Sequence, residues 1–136
     1  MDETLLDTDI LNEVLKQKNA HVLRHAADYL AQHGRFAISS MTRYELLRGL
    51  KEKQAAAQLA NFQVFCQHTF ILSVTDSILD QAAELWAQGR AQGLAPKDAD
   101  LIIAATALQQ GRTLVSGNTT HFAWIPGLAL ANWRDP

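Results

Sequence analysis

Residues 5–11 read LLDTDIL. Two leucines run into an aspartate, and one threonine separates it from a second aspartate before apolar residues resume at Ile10 and Leu11. The run predicts a short buried strand over residues 3–6, followed by a helix. Asp9 stands where a helix N-cap belongs, because an aspartate there satisfies an orphan N–H. Asp7 occupies the strand's last position instead. A lone carboxylate beside a buried sheet is costly to desolvate, so a compensating cation is expected at Asp7.

Outward from this stretch the pattern alternates. Helical spacing covers 9–33 with a break near Lys18–Asn19, and Gly34 is a plausible end. FAIS (Phe36–Ser39) reads as a strand, 42–53 as a helix, 55–67 as another, and FILSV (Phe70–Val74) as a strand. A helix is predicted over Asp76–Gln92, closed by Gly93, with Ile78, Ala82, Leu85, Trp86 and Gly89 on one side. Asp98–Gln110 is apolar nearly all round, Gly111 closes it, TLVS (Thr113–Ser116) is a strand, and a last strand falls near Leu128–Ala131. Strands alternating with helices argue an α/β fold with a mainly parallel sheet. Such sheets carry their sites beyond the carboxyl ends of the strands. Four polar clusters are expected there: Asp7–Asp9, Thr42–Glu45, Asp98–Asp100 and Ser116–Thr120.

The chain has 136 residues, 48% of them hydrophobic, which suits one domain with a genuine core. The single Cys66 excludes an intramolecular disulfide and a thiolate metal site, and a reducing, cytosolic setting fits. MDETLLDTD has no basic n-region, so no secretory leader is expected, and no apolar run approaches a membrane span. The formal net charge of −2 weighs mildly against a polynucleotide substrate. An acidic metal site lowers the net charge while a nearby basic strip still holds phosphates.

Each remaining acid has a structural and a functional reading. Thr42-Arg43-Tyr44-Glu45 fits a capping box, and Arg48 is spaced to pair with Glu45 on a helix surface; alone, Glu45 reads as structural. Asp98 and Asp100 point nearly oppositely if both are helical, two residues being about 200° of helix. Asp98, after Pro96-Lys97, is the natural N-cap. Asp100 shares a face with Ala104, Ala107 and Gly111, small residues suited to close packing on the sheet, which aims Asp100 at the strand ends. Ser116-Gly117-Asn118-Thr119-Thr120 is an ordinary polar loop unless Asp7 and Asp100 meet there. No serine has a suitably placed histidine, and the five histidines lack metal-ligand spacing. Lys97, an exposed lysine by default, stands near the acids and within reach of a phosphate.

LLDTDIL, ISSMTRYELLRGL, DADLIIAATAL, TLVSGNTTHF and PGLALANW, in that order and across nearly the whole chain, resemble a PIN domain, the fold of the VapC toxins of bacterial toxin–antitoxin pairs. The resemblance implies a single PIN domain over 1–136, a mainly parallel central sheet flanked by helices, and an Mg²⁺- or Mn²⁺-dependent endoribonuclease. By position it implies Asp7, Glu45 and Asp100 as metal ligands. The family's fourth acidic position falls on Asn118, a departure that bears on how well a second metal is held. Asp7 then becomes a ligand whose desolvation the metal offsets, and Asp9 mainly a helix cap. The implied partners are an RNA substrate (a tRNA or ribosomal RNA), a VapB-like antitoxin and a second copy of the chain, with no membrane.

Hard carboxylate oxygens and waters are what Mg²⁺ prefers, and no side-chain nucleophile is then required. Two other readings stay open. LLDTD also resembles the first motif of haloacid-dehalogenase-type phosphatases, with Asp7 as nucleophile and Asp9 as acid/base, although Leu11 stands where a threonine is usual and Glu45 has no role. Asn118 motivates the other, a catalytically inert PIN-like binding module. Leu46, Leu47 and Leu50 on the helix of Glu45 cannot all face the sheet, so some are expected to line a groove for a partner helix.

Overall fold

The chain folds as an α/β sandwich whose short strands separate two apolar cores. The structure is a computed structural model describing residues 2–136. Its strands are β1 (Thr4–Leu6), β2 (Ala37–Ser39), β3 (Phe70–Leu72), β4 (Thr113–Val115) and β5 (Leu130–Ala131). Its helices are α1 (Thr8–Lys16), α2 (Ala20–His33), α3 (Ser40–Glu52), α4 (Ala56–Gln67), α5 (Asp76–Ala91) and α6 (Asp98–Gln110), with a 3₁₀ turn over Thr119–His121.

The expected parallel arrangement is present. β1 pairs with β4, Leu5 opposite Leu114 and Leu6 opposite Val115. β4 pairs with β5, and β2 pairs with β3 as a second parallel ladder. β1 also lies against β2, which brings the two ladders side by side. Successive strand residues point to opposite faces. Leu5, Ala37 and Leu114 therefore join the core under α5 and α6. Leu6, Ile38 and Val115 join the opposite core, which holds Ile10, Leu11, Tyr29, Phe62 and Trp133. These strand residues are fully buried, which explains continuous apolar runs rather than alternation.

The local starts of three helices differ from expectation. Asp7, not Asp9, caps α1: its Oδ1 accepts from the Thr8 N–H at 2.8 Å. α3 begins two residues early because Ser39 caps it, accepting from the Met41 N–H at 3.0 Å. Thr42 thus lies inside the first turn and is fully buried, so Thr42 and Glu45 form no capping box. Lys97 precedes α6 without a side-chain cap, and Asp98 is the first helical residue instead of the N-cap. The break in 9–33 is real: Gln17 turns left-handed at φ 55, and the Asn19 side chain caps α2 by accepting from Val22. Gly34 closes α2 at φ +82, a conformation that favours glycine. Leu46 is core, while Leu47 and Leu50 are half-buried against the same cluster.

The carboxyl ends of β1 and β4 and the start of α6 define one edge of the molecule. The Asp98–Asp100 cluster follows a loop, not a strand as the pattern suggested. It reaches this edge because α6 leads back into β4, so its first turn lies where β4 will end.

Candidate functional site

Asp7 stands at the end of β1, beside Ser116 at the end of β4. The Ser116 hydroxyl donates to Asp7 Oδ2 at 2.8 Å, and the Asp7 N–H donates to the Val115 carbonyl at 2.9 Å. Asp7 is only 6% exposed. Burial is the main force pushing its carboxyl up to about 6. The Ser116 hydrogen bond opposes this, and the negative charges of Asp9 and Asp100 add to it.

Asp100 comes from the first turn of α6 and is likewise held above the usual carboxylate range by burial. His121 and Lys97 pull it down, while Glu45 and Asp9 push it up. His121 Nδ1 lies 3.8 Å from Asp100 Oδ2. Glu45, in the second turn of α3, is oriented by Thr8: the Thr8 hydroxyl donates to Glu45 Oε1 at 2.8 Å. The surface pairing with Arg48 is long, 3.9 Å, and Arg48 is exposed. Asp100 thus lies within electrostatic reach of Asp7, Asp9 and Glu45, which makes it the centre of an acidic cluster.

Asp9 has a different part from the cap expected of it. Its Oδ1 accepts from the Ile10 N–H at 2.8 Å, and its Oδ2 accepts from the Gly117 N–H at 3.0 Å. Arg134 Nη1 stands 3.6 Å from the same oxygen, and the Asn118 amide is 3.4 Å away. Asp9 therefore ties the loop after β4 and the C-terminal segment to α1. Asn118 sits on this rim, and its N–H donates to the Ser116 hydroxyl at 3.0 Å. Asp98 faces away, toward Leu79, Ala82 and Trp86 of α5.

Among the described residues, no three His, Cys, Asp or Glu side chains already form a ready-made metal-binding group. The donor set is nonetheless hard oxygen throughout. Mg²⁺ keeps several waters and takes only one or two carboxylates directly, which loosely spaced acids accommodate. A buried Asp7 with a raised carboxyl is also a group that a divalent cation would stabilise in its charged form. In donor chemistry, though not in the spacing of the metal-free side chains, the residues fit such an ion.

Thr8, Ser116, His121 and Arg134 were not singled out individually by sequence reasoning. Ser116 belongs to the polar stretch Ser116–Thr120 that follows β4. Arg134 reaches Asp9 across 125 residues of chain, and no local pattern announces such a contact.

Comparison with known proteins accords with this arrangement. Residues 4–126 match the family model described as PIN domain. Ribonuclease VapC2 of Rickettsia felis is 29% identical over 95% of this chain and 96% of its own. The tRNA(fMet)-specific endonuclease VapC of Shigella flexneri is 28% identical over 95% of this chain and 96% of its own. Among solved structures, VapBC2 from Rickettsia felis bound to a DNA fragment of its promoter superposes with a TM-score of 0.84 and 27% identity, over 96% of this chain and 98% of that one. The phosphatase reading gains no support, and Asp9, engaged by Gly117 and Arg134, is not free to act as its acid/base. The inert-module reading gains none either. With the model match spanning nearly the whole chain, this protein belongs to the PIN-domain family.

Proposed function

We propose that the chain is the toxin of a type II toxin–antitoxin pair, a divalent-metal-dependent endoribonuclease of the VapC type acting in the cytoplasm. The observation that carries this reading is the convergence of Asp7, Glu45 and Asp100 from β1, α3 and α6 on one sheet edge, with Asp7 and Asp100 held above their ordinary carboxylate range by burial. Relatives of matching length named as ribonucleases support it.

Asp7, Glu45 and Asp100 would hold Mg²⁺ or Mn²⁺. When bound, the ion supplies an acidified water for attack on phosphorus and neutralises charge on the phosphoryl oxygens. The protein's share is positioning. Ser116 fixes the Asp7 carboxylate and Thr8 fixes that of Glu45. Asp9 holds the loop that carries Asn118 at the rim. Exposed Lys97 offers a cation to a substrate phosphate.

The solved relatives that pair VapC-type chains with VapB support a VapB-like antitoxin as partner. A second copy of the chain completes the proposed assembly. The test is cleavage of total bacterial RNA by purified protein with Mg²⁺, with EDTA, and with Asp100→Asn. Site-specific fragments that need both the metal and Asp100 are expected. Equal cleavage by the variant would refute the assignment.

A further inference from the structure

Beside the acidic cluster, and sharing Lys97 and Asp100 with it, lies a cleft of about 240 Å³. Leu94, Pro96, Lys97, Asp100, His121 and Trp124 line it. Asp100 is therefore a wall shared between the cleft and the acids. The Trp124 indole is held at both ends. Its Nε1–H donates to the His121 carbonyl at 3.0 Å. Its six-membered ring abuts Gly89 so closely that a Cβ there would stand 3.0 Å from Cη2 and 3.4 Å from Cζ2. A ring fixed before binding loses little further freedom when a ligand arrives. Lys97 and the imidazole of His121 are exposed at the margin.

We infer that this cleft is a nucleotide subsite: one unpaired base of the RNA enters it and stacks on Trp124, with the Lys97 ammonium on the adjoining phosphate. The inference rests on the ribonuclease reading and adds to it one base contact outside the acids. Proteins that read single strands stack splayed bases on aromatic rings beside a basic track. Drug-sized ligands fill pockets of about 300–1,000 Å³; this cleft is smaller and takes one ring system rather than a paired stem. A strand with its phosphate at the acids carries a neighbouring base past Asp100 into it. A base inside a duplex cannot enter without leaving its stack.

The test measures binding separately from cleavage. A single-stranded RNA octamer is titrated against the protein with Ca²⁺ in place of Mg²⁺, and Kd is read by fluorescence anisotropy. Trp124→Ala should weaken binding about five- to a hundredfold, the range for loss of one stacked base. Trp86→Ala, on the exposed face of α5, should leave it unchanged. Removing one base from the octamer should weaken binding to the wild type by a similar factor and cost nothing further in Trp124→Ala. If Trp124→Ala does not fold, 4-thiouridine crosslinking of the wild type decides, and the adduct should map to the tryptic segment 113–134. RNA binding that is indifferent to Trp124, to every base deletion, or that crosslinks only elsewhere overturns the cleft and leaves the ribonuclease reading standing. Loss of a co-expressed protein partner on Trp124→Ala, with RNA binding intact, makes the cleft a protein-docking site and also overturns it. Failure of the wild type to bind any RNA sinks both.

Discussion

The Ser116 hydroxyl and the Asp7 carboxylate meet at 2.8 Å at the ends of two adjacent parallel strands, both residues buried. Asp7 carries a second burden as the cap of α1. A single side chain thus closes a helix, accepts a hydrogen bond from the neighbouring strand and offers its charge to the site. Asp7→Asn keeps an oxygen acceptor for the Thr8 N–H, and asparagine is as good a cap as aspartate. It removes the desolvated charge. RNA cleavage with Mg²⁺ should vanish while metal-free thermal stability is unchanged or higher. Full activity of this variant would remove Asp7 from the metal assignment.

The pH dependence follows with a definite sign. The folded-state carboxyl of Asp7 titrates near 6, against an ordinary 3.8. The folded protein therefore holds this proton more tightly than the unfolded chain. The group's contribution is most favourable below pH 3.8 and is lost as pH rises through 6. The loss amounts to up to about 3 kcal/mol, a tenfold change in proton affinity being about 1.4 kcal/mol. Melting in EDTA across this window should show a steeper decline in the wild type than in Asp7→Asn, whose remaining slope comes from buried Asp100. Metal affinity should fall below about pH 6, where protons compete for the same oxygen. Parallel stability curves for the two proteins would contradict the buried-charge account.

Glu45 separates ligand from cap cleanly, because Ser39 already caps α3. Glu45→Gln disturbs the bond from Thr8 and a long pairing with exposed Arg48, and relieves repulsion on Asp100. Exposed pairs contribute about 0–1 kcal/mol, so the melting temperature should barely move. Activity should drop by about a hundredfold or more, since metal-borne charge stabilisation is worth several kcal/mol. Thr8→Val, which removes the orienting hydroxyl, should give a smaller loss in the same direction. Unimpaired turnover by Glu45→Gln would make Glu45 a structural residue.

The order of strands and helices was legible because apolar runs of 3–6 residues alternate with helical spacing, and helical angle together with the small-residue face of Ala104, Ala107 and Gly111 set Asp100 apart from Asp98. Helix starts were less so. Asp7, Ser39 and Asp9 are all good caps in isolation, and only the buried position of Thr42 and the pull of Gly117 and Arg134 on Asp9 decide among them. Contacts between distant segments, Thr8 with Glu45 or Asp9 with Arg134, have no local signature. Asn118 was visible as a departure, but its place on the rim beside Asp9 required the fold.

Gly117 provides a test of that rim. A Cβ there would collide with Arg134 Nη1 and stand 2.6 Å from Asp9 Oδ2. Arg134 can swing aside, so Gly117→Ala should cost about 1 kcal/mol, mainly by displacing Asp9 Oδ2 from the Gly117 N–H. Arg134→Ala should relieve part of that cost, so the double variant should be less destabilised than the sum of the two singles. Strict additivity in denaturant melts would show that Arg134 does not fill the space over Gly117.

The antitoxin should meet the acidic cluster with a cation. Without metal, Asp7, Glu45 and Asp100 leave uncompensated negative charge along the sheet edge, and arginine pairs bidentately with carboxylates. The remaining affinity must come from apolar burial. Half-buried Leu47 borders a shallow groove between α3 and α4 with Arg43, Phe62 and Ile71, which suits an amphipathic segment. A small partner with a DNA-binding head and an arginine-bearing amphipathic tail is expected. Changing that arginine to alanine should weaken inhibition of cleavage more than it weakens binding, because most contact area lies in the groove. A co-purified partner that leaves the acids open to Mg²⁺ and RNA would refute this mode of inhibition.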